Sequence, residues 1–467
     1  MFLSTRDYDF YYKFIVGASK QNCEKLLKKK LKLTIFKKHN YPSFRFILFF
    51  FYIFFSGSLF SEKKRALIHY KNIEIGRFVI SHTLVKFETY VNKKIFYYYL
   101  FKNFFLAGAI IKACENYYKK NNIEGLYVDH CGYINGVIFS YFSKKNIPVY
   151  TNNYPNGIFG IDYRKKSNSK FDKYENALKI RKKIKLDKNK KNLARKCLKN
   201  LTQKKNFIPW LDKCKFQSLD KINYKNFDYV IYTHSFTDGQ MWYGYDGFEN
   251  TLDWLILTIV ELTKRRKKIL VKPHPNFFNK SLSVYAEWDK KIFNIINKKF
   301  QNSEYIHFLK TPIHNYELLK RLNKNCILIT KYGSVLLEGS FMNFKTICSE
   351  CNFFETNFKI ANQWKNISEY KKILSKEYKN LKNCNLTDLY LLIYHLFYVY
   401  DSPYNAKYYF ETVIRKSINI TPEKFKKLFY LKARSKLDNK RKKLFNDLFK
   451  NKFEKINKKI SERILLL

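Results

Sequence analysis

The chain has 467 residues, too many for one compact core and enough for two or three domains, and 46% of them are hydrophobic, which supplies material for buried cores. Its formal charge of +52 would ordinarily point to nucleic acid or an anionic membrane. Lysine, asparagine, isoleucine, phenylalanine and tyrosine are abundant along the whole chain, however, as in an A+T-rich coding sequence, and a dedicated binding face would cluster its charge.

The opening "MFLSTRDYDFYYKF" has no basic start followed by an apolar core and does not read as a secretory leader. Residues 46 to 60, "FILFFFYIFFSGSLF", are apolar but short of the roughly 20 residues of a spanning helix. Lys37, Lys38, Arg45, Lys63, Lys64 and Arg65 flank them and suit anionic headgroups. Two readings stay open for this segment: a buried strand or helix, or an interfacial anchor.

"IEGLYVDH" (123–130) predicts a strand, "YINGVIFSYFSKK" (133–145) a helix and "IPVYTNN" (147–153) a second strand. Parallel strands joined by a helix belong to an α/β sheet, with ligands at the strands' carboxyl ends. Asp129, His130, Asn152 and Asn153 fall at those ends. Residues 179 to 205 are the densest basic stretch and show almost no apolar periodicity, so they read as a solvated linker or exposed helix. No aromatic-rich RNA-binding strand accompanies them.

The pattern restarts at "FDYVIYTHSFTDG" (227–239), a strand running into a loop, followed by a helix over 251–267. Strands over 268–275, 305–309, 326–330 and 345–349 then alternate with helices over 282–300, 314–323 and 334–343, predicting a second doubly wound domain. From Ile367 onward the chain reads as helical with a basic, low-complexity finish over 436–459. The expected division is 1–165, an amino-terminal Rossmann-like domain; 166–222, a basic linker or helical segment; 223–366, a second Rossmann-like domain; and 367–467, a helical basic extension.

The nine cysteines are scattered, with one close pair, Cys348-x-x-Cys351. A zinc site needs two such pairs or histidines at ligand spacing, so the cysteines read as unpaired thiols in a reducing compartment and no metal site is expected.

Glycine is scarce, at 14 residues, and Gly333 stands between a strand and a helix in "LITKYGSVLLEGS". Glycine there admits a ligand close to the backbone, and the helix start offers free N–H groups to phosphate. Ser334 is expected to cap that helix and to donate to phosphate, while Glu338, one turn on, is placed to accept from a ribose. Neither the G-x-G-x-x-G fingerprint nor a P-loop is present. In "LVKPHPN" two prolines hold the backbone extended around His274, and Lys272 adds charge beside it. The loop "THSFTDGQMWYGYDG" (233–247) sets His234, Ser235 and Asp238 at the cleft, and either Asp238 or Asp129 is a candidate general base.

KPHP after an apolar strand, "HSFTD" some forty residues earlier, and "ITKYGSVLLEG" followed by "KTICSE" resemble capsule polysaccharide biosynthesis proteins. Those are similar in turn to capsule Kdo transferases and CDP-glycerol glycerophosphotransferases. The resemblance covers residues 123 to 370, most loosely at 125–153. It implies a GT-B-like α/β architecture, two Rossmann-like doubly wound domains facing across a cleft with a helical carboxyl-terminal extension. It also implies a donor cradle in which His274 and Ser334 touch donor phosphates, with Glu338 at the ribose. Lys331-Tyr332 before Gly333, and Asn343-Phe344 where glycine is usual, depart from the family pattern.

The expected activity is a metal-independent, nucleotide-sugar-dependent glycosyltransferase that builds a surface polysaccharide. Lys272, His274, Gly333, Ser334, Glu338, His234 and Ser235 would bind the donor, and His130, Asn152 and Asn153 would line the acceptor side. Asp238, Asp129 and His274 are the catalytic candidates. No cofactor is expected beyond the donor substrate. The partners expected are a nucleotide sugar, a glycan or lipid-linked acceptor and peripheral contact with an anionic membrane from the cytoplasm. A CDP-polyol phosphotransferase or a nucleotide-sugar 2-epimerase would use the same fold, and a non-catalytic basic binding protein is the alternative from another class.

Overall fold

The structure is a computed structural model of the chain. It describes residues 2–3, 34–35, 41–86, 88–120, 123, 126–128, 132–145, 147, 149–152, 161–164, 184–203, 222–241, 244–278, 286–352 and 358–394.

The amino-terminal part is a helical layer against a small sheet. Helix α1 (Phe44–Phe55) starts where the Ser43 hydroxyl accepts from Phe46 N, and it buries Phe46, Phe50 and Ile53. Helix α2 (Glu62–Ala66) leads to a hairpin, β1 (His69–Tyr70) with β2 (Ile73–Glu74). Helix α3 (Gly76–Thr83), the short α4 (Glu88–Val91) and the long α5 (Lys93–Lys120) follow. The segment 46–60 is thus a helix as far as Phe55, with one face in the core and the other exposed, followed by a turn over 56–60. Of its expected flanking basic residues, Arg65 is buried and Lys37 and Lys38 lie outside the described residues.

The strand-helix-strand unit is present as β3 (Leu126–Val128), α6 (Gly136–Lys144) and β4 (Val149–Asn152). The strands pair in parallel, Leu126 opposite Val149, and β5 (Ile161–Arg164) adds an antiparallel edge. Asp129, His130 and Asn153 lie outside the described residues, and Asn152 closes β4.

The basic stretch contains helix α7 (Lys188–Thr202), and it is not a bare solvated element. Ala194, Leu198 and Leu201, at i, i+4 and i+7, are buried in a cluster with the last described helix. Lysines on the remaining faces hide that narrow stripe from a periodicity count.

The second sheet carries the site. In chain order it comprises β6 (Tyr229–Tyr232), α8 (Thr251–Thr263), β7 (Ile269–Lys272), α9 (Ala286–Phe300), β8 (Ile306–Phe308), α10 (Asn315–Arg321), β9 (Ile327–Thr330), α11 (Val335–Phe341), β10 (Lys345–Ser349) and β11 (Asn362–Trp364). Helices α12 (Ile367–Leu374) and α13 (Leu386–Tyr394) close it. All six strands are parallel, in the order β8-β7-β6-β9-β10-β11. The five predicted strands are therefore joined by a sixth, β11.

Strands β6, β7, β9 and β10 are buried along their whole length, as apolar runs covered on both faces must be. Tyr229, Ile231, Val271 and Ile329 face one side, with Trp254 of α8 and Phe293 of α9. Val230, Tyr232, Leu270 and Leu328 face the other, with Leu318 of α10 and Val335 of α11. This is a doubly wound α/β sheet whose strand order reverses between β6 and β9, and a crevice opens at the carboxyl ends of strands at such a point.

Candidate functional site at the reversal of strand order

Two loops leave the sheet side by side at the reversal, Thr233 onward from β6 and Lys331 onward from β9. The KPHP loop leaves the neighbouring β7. Thr233 ties the first loop to the third: its N–H donates to the Lys272 carbonyl at 3.0 Å, and its hydroxyl accepts from His274 N at 3.0 Å. The His234 and His274 rings then lie 5.6 Å apart, and the Tyr332 ring stands edge-on to His234 at 5.8 Å. Three loops that are distant in the chain thus bring His234, His274 and Tyr332 together.

Burial divides the roles. His234, His274, Asp238, Gly333 and Ser334 are half-buried, while Lys272, Ser235, Lys331 and Glu338 are buried. Pro273 does carry the backbone past the strand, but Pro275 opens a short 3-10 turn to Phe278 in which Phe277 N donates to the His274 carbonyl. Burial pushes the His234 imidazole below its ordinary pKa, and the Asp238 charge opposes that only in part. His234 is accordingly a neutral imidazole at neutral pH, able to donate from one nitrogen and accept on the other. The Lys272 ammonium lies 5.8 Å from the centre of the Tyr232 ring.

On the loop after β9, Gly333 N donates to the Thr330 hydroxyl at 2.9 Å, and a β-carbon at Gly333 would stand 2.6 Å from that oxygen. Glycine serves the tightness of this turn. Ser334 occupies the start of α11 but makes no capping bond, contrary to the expectation; its hydroxyl instead donates to Glu338 Oε1 at 3.4 Å. Asn315, at the start of α10, donates to the other oxygen, Oε2. Ser334 and Glu338 therefore do share a face, and both oxygens of the carboxylate are engaged. Asn315 Oδ1 and the Tyr232 hydroxyl, both buried, have no hydrogen-bond partner among the described residues.

Sequence reading missed the groups that hold the first loop. Asp289 of α9 is buried and accepts from the Ser235 hydroxyl, Phe236 N, Thr237 N and the Thr237 hydroxyl. The Ser235 hydroxyl is thereby committed to the loop's own support. Lys331, noted only as a departure from a pattern, is fully buried against Asp246 at 3.2 Å and donates to the Phe248 carbonyl at 3.3 Å. Its neighbour Tyr332 supplies one wall of the histidine pair.

Asp238 points the other way, toward the amino-terminal part. Tyr133, just before α6, donates to Asp238 Oδ1, and Gly239 N donates to the Tyr133 hydroxyl at 3.1 Å. His82 of α3 stacks edge-on to Tyr133 at 6.5 Å. Tyr133 carried no sequence signal, since its partner Asp238 is 105 residues away, and His82 reaches the group only through the Tyr133 ring. Cys348 and Cys351 are both buried and are not in a disulfide. Among the described residues no group of three or more His, Cys, Asp or Glu is arranged to hold a metal ion.

The sheet and the three convergent loops define a doubly wound α/β protein with polar side chains gathered at the reversal of strand order. No family model matches the chain, and no curated protein sequence matches it. Among solved structures it is similar to KpsC of Thermosulfurimonas dismutans, a β-Kdo 2,4 transferase, with 11% identity and a TM-score of 0.29 over 45% of this chain and 56% of that one. It is also similar to a UDP-GlcNAc 2-epimerase of Methanocaldococcus jannaschii in complex with UDP-GlcNAc and UDP, with 14% identity and a TM-score of 0.27 over 62% and 79%. The chain thus spans little more than half of the transferase, and likenesses of this size bear on neither substrate nor site.

Proposed function

We propose that the protein is a nucleotide-sugar-dependent glycosyltransferase that builds a cell-surface polysaccharide from the cytoplasmic side, with a GT-B-like arrangement of two Rossmann-like units. The observation that carries this reading is the meeting of His234, His274 and Tyr332 beside Gly333, Ser334 and Glu338 at the reversal of strand order. That crevice is where a doubly wound sheet takes a nucleotide.

In this reading His274 donates to the diphosphate as it departs, with the Lys272 charge beneath and the Ser334 hydroxyl opposite. Glu338 takes the ribose, for which Ser334 or Asn315 gives up its present bond to the carboxylate, and Asn315 Oδ1 accepts a further hydroxyl. The Tyr232 and Tyr332 rings keep the phosphates on the dry side of the cleft. Asp238, held at one oxygen by Tyr133, keeps its second oxygen for the acceptor hydroxyl and acts as general base. Electrostatic stabilisation of the leaving group by these residues is proposed to suffice without a metal or cofactor, and the acceptor is a glycan or a lipid-linked glycan.

Thermal shift against UDP, GDP, CDP and CMP tests the reading directly. One nucleoside diphosphate should raise the melting temperature, and His274→Ala should lose that rise and abolish transfer while melting at the wild-type temperature without ligand. A shift with CDP and CMP alone would favour a CDP-polyol phosphotransferase, and no shift with any of the four would sink the assignment.

A further inference from the structure

Apart from Arg45, helix α1 is apolar all round, yet only one side is in the core. At 100° per residue Phe44, Leu48, Phe51, Tyr52 and Phe55 fall within an arc of about 100°, centred opposite the buried Phe46, Phe50 and Ile53. That outward stripe is bare: Phe44 is 72%, Tyr52 69% and Phe55 80% exposed. Phe60, whose ring packs on Phe54 at 5.5 Å, and Phe105 of α5, whose ring lies 4.7 Å from the buried Phe50, are exposed as well. Arg45, Lys63, Lys64 and Lys102 are exposed around it, with Glu62 the acidic neighbour.

We infer that this face docks on an anionic membrane surface, with α1 lying in the plane of the interface. Three features select that occupant. The helix has 12 residues, about 18 Å, too short to cross a bilayer but suited to lying along one. No described helix is long and apolar enough to cross a membrane. An aromatic stripe with a basic rim is the composition that seats at the headgroup level, rings in the acyl boundary and cations on the phosphates. A second copy of the chain fits poorly. A two-fold contact would set the same cationic rim of Arg45, Lys63, Lys64 and Lys102 against itself.

The test is co-sedimentation of the full chain with vesicles of equal parts phosphatidylglycerol and phosphatidylcholine, and with phosphatidylcholine alone. The wild type should bind the anionic vesicles and keep a large bound fraction in about 0.5 M salt, where charge alone is screened. Leu48→Glu/Phe55→Glu should lower the partition coefficient about a hundredfold or more, with an unchanged melting temperature because both side chains are exposed. Phe51→Gln/Tyr52→Gln repeats the measurement should the first variant melt early. Lys63→Glu/Lys64→Glu should weaken binding at low salt only. Complete release of the wild type in high salt, or equal binding by the apolar-face variants, would overturn the inference. So would a lipid-free dimer, seen by sedimentation velocity, that those variants dissociate.

Discussion

At the scale of single residues the loop after β6 depends on one carboxylate. Asp289 receives four hydrogen bonds from Ser235, Phe236 and Thr237, yet its burial outweighs them and pushes its pKa up from an ordinary value near 4 to about 6. A carboxyl raised on folding binds its proton more tightly in the native state. Its contribution is therefore fully present below pH 4 and is lost as pH rises through about 6. Asp289→Asn keeps an acceptor for Thr237 and turns the other bond round, with the amide donating to the Ser235 hydroxyl. The variant should fold, and urea melts from pH 4 to 7 should show that part of the wild-type decline abolished. A decline of unchanged slope would refute the assignment. Asp289 was illegible in the sequence because its partners lie 52 to 54 residues away and "EWDKKIF" reads as an ordinary polar face. Lys331 was hidden by the abundance of lysine, since nothing local marks the one that is buried against Asp246. His274, Gly333 and Glu338 stood out because proline and glycine are scarce here.

At the scale of elements, strands and helices of the second sheet were legible because a covered parallel sheet writes each strand as a short apolar run. β11 was not, since Asn362-Gln363-Trp364 is a three-residue edge with two amides. For the segment 46–60 the sequence named two alternatives; the structure shows a helix with one face buried, and the interfacial anchor rests on the inference drawn above from its exposed face. Gly108 of α5 decides how closely α1 approaches: a β-carbon there would stand 2.4 Å from the enclosed ring of Phe46. Gly108→Ala would gain about 1 kcal/mol of helix propensity, but the displaced ring should cost about 1–3 kcal/mol, so the net change is destabilising. Gly108→Ala/Phe46→Leu should recover stability relative to the sum of the single variants, the signature of a shared cavity. Additive effects in a denaturation cycle would mean that the two residues do not meet.

At the scale of the whole molecule, the loop between β6 and α8 joins the amino-terminal layer to the second sheet. The Phe236 carbonyl accepts from Tyr90, Asp238 from Tyr133 and the Met241 carbonyl from Arg77, and the Met241 side chain lies in the amino-terminal core. Arg65 grips Glu249 through Nε and Nη2, both side chains almost wholly buried, with the guanidinium over the Phe96 ring. A bond so placed makes stability of the two parts interdependent. Arg65→Ala leaves Glu249 buried and unpaired and should cost about 3–5 kcal/mol. Arg65→Met/Glu249→Leu, which removes both charges and keeps the volume, should cost far less. If the two parts fold as one, the single variant lowers one common melting transition, and it also weakens nucleotide binding, because Glu249 stands in the loop that begins at Thr233 beside His274. A melt in two steps, with Arg65→Ala moving only one and the nucleotide shift unaltered, would show that the loop fastens the parts together without coupling them.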